Sequence, residues 1–398
     1  MAVENWVSRD IKMLTEFRRD LHMHPELLYD VPRTAGKVAE ALRAAGVDEV
    51  IEGMGRTGVV GIICGDSNKS GRMIGLRADM DALPIPEATG QPWASTVPGK
   101  MHACGHDGHT AMLLGAARQL ARSRGFDGTV VVIFQPAEEG GAGARAMIED
   151  GLFERCPCDE VYGMHNRPNL PIGQFTIAPG PIMAAVDEIR ITVEGRGGHA
   201  ARPHTAIDPL PITGALIQAM QGIVARSIDP MDAAVVSLTT VHAGDAFNVI
   251  PQAVDLTGTV RTLREEVRNH VEARLTQMVE HIAAGFGAVG RLDYIRHYPV
   301  TVNHQGATDL AAAAAQEVAG MDNVHLDMPP MLGGEDFSFM LKKVPGAMIN
   351  IGNGPSADLH NPGYDFNDDA IAWGCSYWTT LVRQRLPLDP GTVVPLRG

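Results

Sequence analysis

A chain of 398 residues is long for a single core and points to two or three domains of ~100–200 residues each. Its 33 basic and 47 acidic side chains give a formal net charge of −14, which argues against a general nucleic-acid binder, whose surface would be basic. A hydrophobic fraction of 45% allows a sizeable core, and no apolar run reaches the roughly 18 residues of a membrane span. Charges in the opening MAVENWVSRDIKM stand where a secretory signal would be apolar, so a cytoplasmic protein with no membrane partner is expected. The five cysteines, Cys64, Cys104, Cys156, Cys158 and Cys375, are odd in number and scattered, which does not suit a disulfide framework.

Residues 5–45 read as two helices flanking LHMHPELLYDVPRTA, with His22 and His24 in a structural loop and Thr34 capping the second helix. Residues 57–63 and 73–77 are short apolar runs bounded by Gly, as buried strands are, and the second leads straight to Asp79 and Asp81. Residues 101–109, MHACGHDGH, crowd three histidines and a cysteine into nine positions. Cys104 and His106 are one residue apart, so an extended or tightly turned segment aims both at one centre. From Asp107 to Arg124 the pattern predicts a helix. A strand at 129–134 then delivers QPAEEGG, one at 160–164 delivers His165, and one at 347–351 is followed by a loop containing His360. Four buried strands thus release polar residues beyond their carboxyl ends, the edge at which open α/β sheets bind ligands.

Between residues 184 and 297 the order becomes βαββαβ, that of a ferredoxin-like sandwich. The expected fold is α/β: a domain with a mixed central sheet, formed by residues 1–183 and 298–398, with an inserted lid domain at 184–297.

Cys104, His106, Glu139, His165 and His360 form a mixed sulfur, nitrogen and oxygen set, too large for a closed tetrahedral zinc site and suited to two metals sharing one ligand. Zinc, manganese, cobalt and nickel all accept such donors. Glu138 and Glu139, adjacent in an extended segment, would point apart, one to a metal and the other to a water. His199, after a Gly pair in GRGGHAARPH, could donate to an oxyanion. Asn248 and Arg261 are candidates for holding a substrate carboxylate.

The set LHMHPE, RADMDALP, MHACGHDGHTAM, FQPAEEGG, MHN, GRGGHAARPH, NVIP, TVR, GGEDF and LHNPGYDFND spans most of the chain. It resembles the dinuclear metal amidohydrolases of the aminoacylase/carboxypeptidase family, within the branch of hippurate hydrolases and indoleacetyl-amino-acid hydrolases. The resemblance implies two divalent cations on Cys104, His106, Glu139, His165 and His360, with Glu138 as general acid and base. His199 would stabilise the oxyanion, in some relatives from the partner subunit, and the inserted domain would support a homodimer or higher homo-oligomer. The implied reaction cleaves an N-acyl amino acid, a small-molecule substrate, into a carboxylic acid and a free amino acid. The best-known peptidases of the wider family carry His where Asp79 stands and bridge their metals with aspartate rather than cysteine. That difference selects the amidohydrolase branch and leaves Asp79, like Glu335 of GGEDF, without an assigned role. The alternatives are a metallo-carboxypeptidase or dipeptidase, and a non-catalytic small-molecule binding protein.

Overall fold

Runs of Val, Ile and Gly build an eight-stranded mixed sheet in the computed structural model, which describes residues 6–388. Across this sheet the strands are Glu49–Met54, Gly58–Cys64, Thr129–Gln135, Met73–Asp79, Glu160–Arg167, Gly346–Gly352, Phe175–Thr176 and Val324–His325. The four strands expected to deliver polar residues are consecutive in it. Met73–Asp79 runs parallel to both Thr129–Gln135 and Glu160–Arg167, and Gly346–Gly352 parallel to Glu160–Arg167. Their carboxyl ends therefore share one edge. Every residue of Thr129–Gln135 and Gly346–Gly352 is buried, which is why they read as unbroken apolar runs rather than alternating ones.

Three strands of this sheet were not expected: Glu49–Met54 and the two-residue strands Phe175–Thr176 and Val324–His325. Glu49–Met54, rich in acidic residues and largely exposed, pairs antiparallel with Gly58–Cys64 at the edge of the sheet. The helix His106–Ser123 is buried almost throughout and packs against Val7–Met23 and Ala370–Arg385. Gly115 permits that approach, because a Cβ there would lie 2.5 Å from Cys375 Sγ and 2.7 Å from Leu14 Cδ1.

Two local expectations are corrected at the amino-terminal helices, whose predicted start at residue 5 lies outside the described residues. The helix Pro32–Ala44 is not capped by Thr34: the Arg33 and Thr34 amides donate to the Glu26 carboxylate at 3.1 and 2.8 Å. Proline at the first helical position presets its dihedral and has no N–H to satisfy. His22 lies not in a loop but in the last turn of Val7–Met23, fully buried, with Nδ1 2.8 Å from Asp107 Oδ2.

The larger of two compact units runs to Gly180 and resumes over Val302–Pro329 and from Asp336 onward. The smaller comprises Pro181–Thr301 and Pro330–Glu335. The expected boundaries were 184 and 297; the unit instead begins at Pro181 and runs to Thr301, and the chain re-enters it after residue 329, where the Ala184 amide donates to the carbonyls of Met331 and Gly333. GGEDF is thus divided between the units after Glu335.

In the smaller unit the order is βαββαβ. Its sheet runs Ala234–His242, Ala253–Thr262, Ala185–Glu194, Val289–Tyr298, antiparallel at every pairing, as in a ferredoxin-like fold. Burial alternates along Ala185–Glu194 because only one face meets the helices Pro209–Ser227 and Glu265–Gly285, around a core that includes Ile189, Ile191, Leu216 and Leu275. No helix among the described residues is long and apolar enough to cross a membrane.

Candidate metal centre

The centre is built on the turn Cys104–Gly105–His106. Gly105 has φ +86°, and a Cβ on it would stand 2.3 Å from Asn166 Nδ2 and 2.5 Å from the Tyr364 hydroxyl, so only glycine fits. His106, the first residue of its helix, donates Nδ1–H to the Asp81 carbonyl at 2.8 Å. Its Nε2 is buried and has no hydrogen-bond partner among the described residues. His165 lies within the strand Glu160–Arg167 rather than beyond it, donates Nδ1–H to the Asn166 carbonyl at 2.7 Å, and holds Nε2 3.4 Å from Cys104 Sγ. In both rings the bonded Nδ1 carries a proton, so Nε2 is the nitrogen that can turn a lone pair to a cation, in His106 after it gives up its own proton.

Glu138 and Glu139 are not in an extended segment. They form a turn after Thr129–Gln135, with Ala137 at φ +55°, and their amides donate to the two oxygens of Asp81 at 2.9 and 3.1 Å. His360, at φ +64°, anchors its amide on the Ala103 carbonyl at 2.8 Å and places Nε2 3.2 Å from Glu139 Oε1. The side chain of His360 is 52% exposed, the open side of an otherwise buried cluster.

Two groups of three donors emerge, Cys104 with His106 and His165, and Cys104 with Glu139 and His360; within each group the donor atoms lie within 4.8 Å of one another. They share Cys104. Glu138 stands beside both, with a donor atom within 4.8 Å of one on His106 and one on Glu139. A pair of cations fits this arrangement, because the donor types are those of transition-metal sites and the buried His106 Nε2 makes no hydrogen bond among the described residues, its nearest carboxylate oxygens, on Asp79 and Glu139, lying 3.7 and 3.9 Å away. The electrostatics agree. Burial, and then the Glu139, Glu138 and Asp79 charges, push the Cys104 thiol well above its usual range. Burial would lower the His106 pKa, but Asp79 and then Asp81 and Glu139 raise it to about 10. Both shifts reflect the carboxylates gathered around these side chains. Burial and the neighbouring His109 hold His165 neutral.

A third group, Asp79 with His106 and His109, also lies within 4.8 Å but is closed by its own hydrogen bonds. His109 Nδ1 donates to Asp79 Oδ1 at 2.6 Å, Arg77 donates to Oδ2 at 2.7 Å, and His109 Nε2 accepts the Asn166 amide at 2.9 Å. Asp79 therefore braces His109. His102, the remaining histidine of the nonapeptide, is buried, and burial pushes its pKa down to about 3. Asp81, His109, Asn166 and Tyr364 were missed as site residues; the only signals were the i, i+3 spacing of His106 and His109 and the position of Asn166 directly after His165.

The other candidates belong to the smaller unit. His199 is exposed, accepts the Ala201 amide on Nδ1 at 3.1 Å, and sits on a two-residue strand paired with Val249–Ile250. Asn248 adjoins it, its carbonyl accepting the Ala200 amide at 3.1 Å. Arg261 lies apart from that ribbon, in the four-stranded sheet opposite Val186 and Val235. It is half-buried, with one guanidinium nitrogen lacking a partner among the described residues, and burial lowers its pKa. The Glu335 carbonyl accepts the Thr301 hydroxyl at 3.3 Å.

Comparison with known proteins matches this geometry to a family. The chain is 42% identical over 371 residues to a hippurate hydrolase of Campylobacter jejuni, covering 93% of this chain and 96% of the relative. It is 40% identical over 369 residues to an N-acetylcysteine deacetylase of Bacillus subtilis, covering 92% and 95%. Among solved structures, the Bacillus subtilis YXEP protein, described as a dinuclear metal binding peptidase, superposes with a TM-score of 0.82 at 36% identity over 94% of this chain and 98% of that one. Residues 75–384 match the model of peptidase family M20/M25/M40, and the chain belongs to that family.

Proposed function

We propose that the protein is a metal-dependent hydrolase that cleaves the amide bond of N-acyl amino acids, releasing a carboxylic acid and a free amino acid. The observation that carries this is the meeting of two three-donor groups at Cys104 with Glu138 alongside. Relatives named for hippurate and N-acetylcysteine, both N-acyl amino acids, support the substrate class. Cys104, His106, Glu139, His165 and His360 would hold the two divalent cations, be they zinc, manganese, cobalt or nickel. When bound, such a pair supplies Lewis acidity, which polarises the scissile carbonyl and makes water acidic near neutral pH.

The chain's own residues do the rest. Glu138, whose amide is fixed by Asp81, takes the proton of the attacking water and returns it to the departing amine. His199 is assigned to the developing oxyanion, and Asn248 and Arg261 to the substrate carboxylate; the unpartnered guanidinium nitrogen of Arg261 supports that role. A cytoplasmic setting fits the five free cysteines, and a small-molecule substrate rather than nucleic acid fits the net charge of −14. The smaller unit is the candidate surface for a homodimer.

The family's peptidase members favour a second reading, in which the same centre cuts a carboxypeptidase or dipeptidase substrate. Chelated protein reloaded with each metal in turn and offered hippurate-like substrates, N-acetyl amino acids and dipeptides separates the two. Higher kcat/KM on the acyl compounds is expected. Turnover of dipeptides alone would replace the proposal with the second reading.

A further inference from the structure

Asn166 follows the candidate ligand His165 in a buried strand, and each of its polar groups is engaged. Its carbonyl accepts His165 Nδ1–H at 2.7 Å, and its amide donates to His109 Nε2 at 2.9 Å. Its side-chain nitrogen donates to the Cys104 carbonyl at 2.6 Å, and its side-chain oxygen accepts the Tyr364 hydroxyl at 2.7 Å. One residue therefore joins two candidate ligands that are far apart in the chain, while its side chain packs against the Gly105 turn that aims Cys104 and His106.

The amide bond to His109 Nε2 sets a tautomer. With Nε2 accepting, the ring proton is on Nδ1 and goes to Asp79, whose other oxygen is held by Arg77. Arg77, Asp79 and His109 thus form a rigid, fully buried brace behind Asn166. The spacing of 3.4 Å between Cys104 Sγ and His165 Nε2 depends on where Asn166 sits. Residues that orient metal ligands in this way commonly change metal affinity by roughly 10–100-fold when removed.

Building on the two-cation reading above, we propose that Asn166 is a positioning residue for the donor group Cys104, His106 and His165. It acts on that group through both Cys104 and His165, and on the group formed by Cys104, Glu139 and His360 only through the shared Cys104, so its effect on the first ion is the larger. Truncation would leave the Cys104 carbonyl and the Tyr364 hydroxyl buried without their present partner and let the Gly105 turn move.

The test is titration of the cation-free full chain with Co(II), read by chelator competition and by the thiolate-to-cobalt absorption band, alongside the thermal midpoint of the cation-free protein. In Asn166→Ala, one of the two ions is expected to bind ~10–100-fold more weakly with a shifted thiolate band, while the other weakens by a smaller factor. Tyr364→Phe, which removes only the hydroxyl donor to Asn166, is expected to act in the same direction by a smaller factor. Two ions bound by Asn166→Ala with wild-type affinity and spectrum, and only a lowered thermal midpoint, would make the residue merely structural and overturn the inference. If Asn166→Ala does not fold, unchanged affinity in Tyr364→Phe overturns it equally. A wild-type chain that takes up no pair of cations would sink the two-cation reading itself, and this inference with it.

Discussion

His106 and His109 stand one turn apart on the same helix, both buried, with ring centroids 5.5 Å apart and both near Asp79. Their situations are opposite. His109 has both nitrogens engaged, one by Asp79 and one by the Asn166 amide, whereas His106 uses Nδ1 on the Asp81 carbonyl and leaves Nε2 without a hydrogen-bond partner. Burial and nearby carboxylates are common to both, so neither distinguishes a ligand from a brace. Hydrogen-bond closure does, because an unpaired buried nitrogen is costly unless something arrives to use it.

The largest expected effect is at Glu138, beside the two donor groups. Glu138→Gln should retain both cations and lose ~10²–10⁴-fold in kcat, the range for removing a general acid and base. Loss of metal together with activity would make Glu138 a ligand instead. The comparison is sharpened by the two histidines themselves. His106→Ala should fail to retain one cation on dialysis, whereas His109→Ala should bind two, with affinity lowered ~10–100-fold; metal analysis of the dialysed proteins checks both, and equal stoichiometry in the two variants would break the distinction.

A third expectation concerns protons. With the Cys104 thiol raised by burial and neighbouring acidic groups, and the His106 pKa at about 10, both are protonated at neutral pH in the cation-free chain. Cation uptake should therefore release about two protons and tighten as pH rises, measurable by calorimetry in buffers of different ionisation enthalpy. Uptake with no buffer dependence would contradict it.

The smallest expected effect is at His22, another closed histidine, held by Asp107 at 2.8 Å and Glu87 at 3.4 Å. Burial alone would lower its pKa, but Asp107 and then Glu87 outweigh it and raise the value from 6.5 to about 9. A raised folded-state pKa stabilises fully below the unfolded value, so this contribution is present below pH 6.5 and lost as pH climbs through 9. The thermal midpoint of the cation-free protein should fall over that interval, and His22→Gln should flatten the fall. A slope identical in wild type and variant would assign it elsewhere.

The parallel strands, and the clustering of Cys104, His106, Glu139, His165 and His360, were legible because each lies in or after a short apolar run or in a crowded local motif. His360 and Glu139 were placed by the rule that ligand sites form beyond the carboxyl ends of such strands. What escaped was set by partners distant in the chain. Asp81 bends Glu138 and Glu139 into a turn from 57 and 58 residues away, Glu26 displaces Thr34 as a cap, and Asn166 reaches Cys104 across 62 residues. The strand Glu49–Met54 was hidden by its exposed acidic residues, since an edge strand needs little apolar surface. The return of residues 330–335 to the smaller unit rests on backbone bonds to Ala184, which no side-chain pattern announces.

The central claim is that one thiolate serves two ions. A crystal structure of the metal-loaded protein, with anomalous differences collected at the metal's absorption edge, tests it most directly. Two peaks are predicted, each about 2.3 Å from Cys104 Sγ if the metal is zinc, one flanked by His106 and His165 and the other by Glu139 and His360. A single peak, or a pair of peaks away from Cys104, would contradict the account.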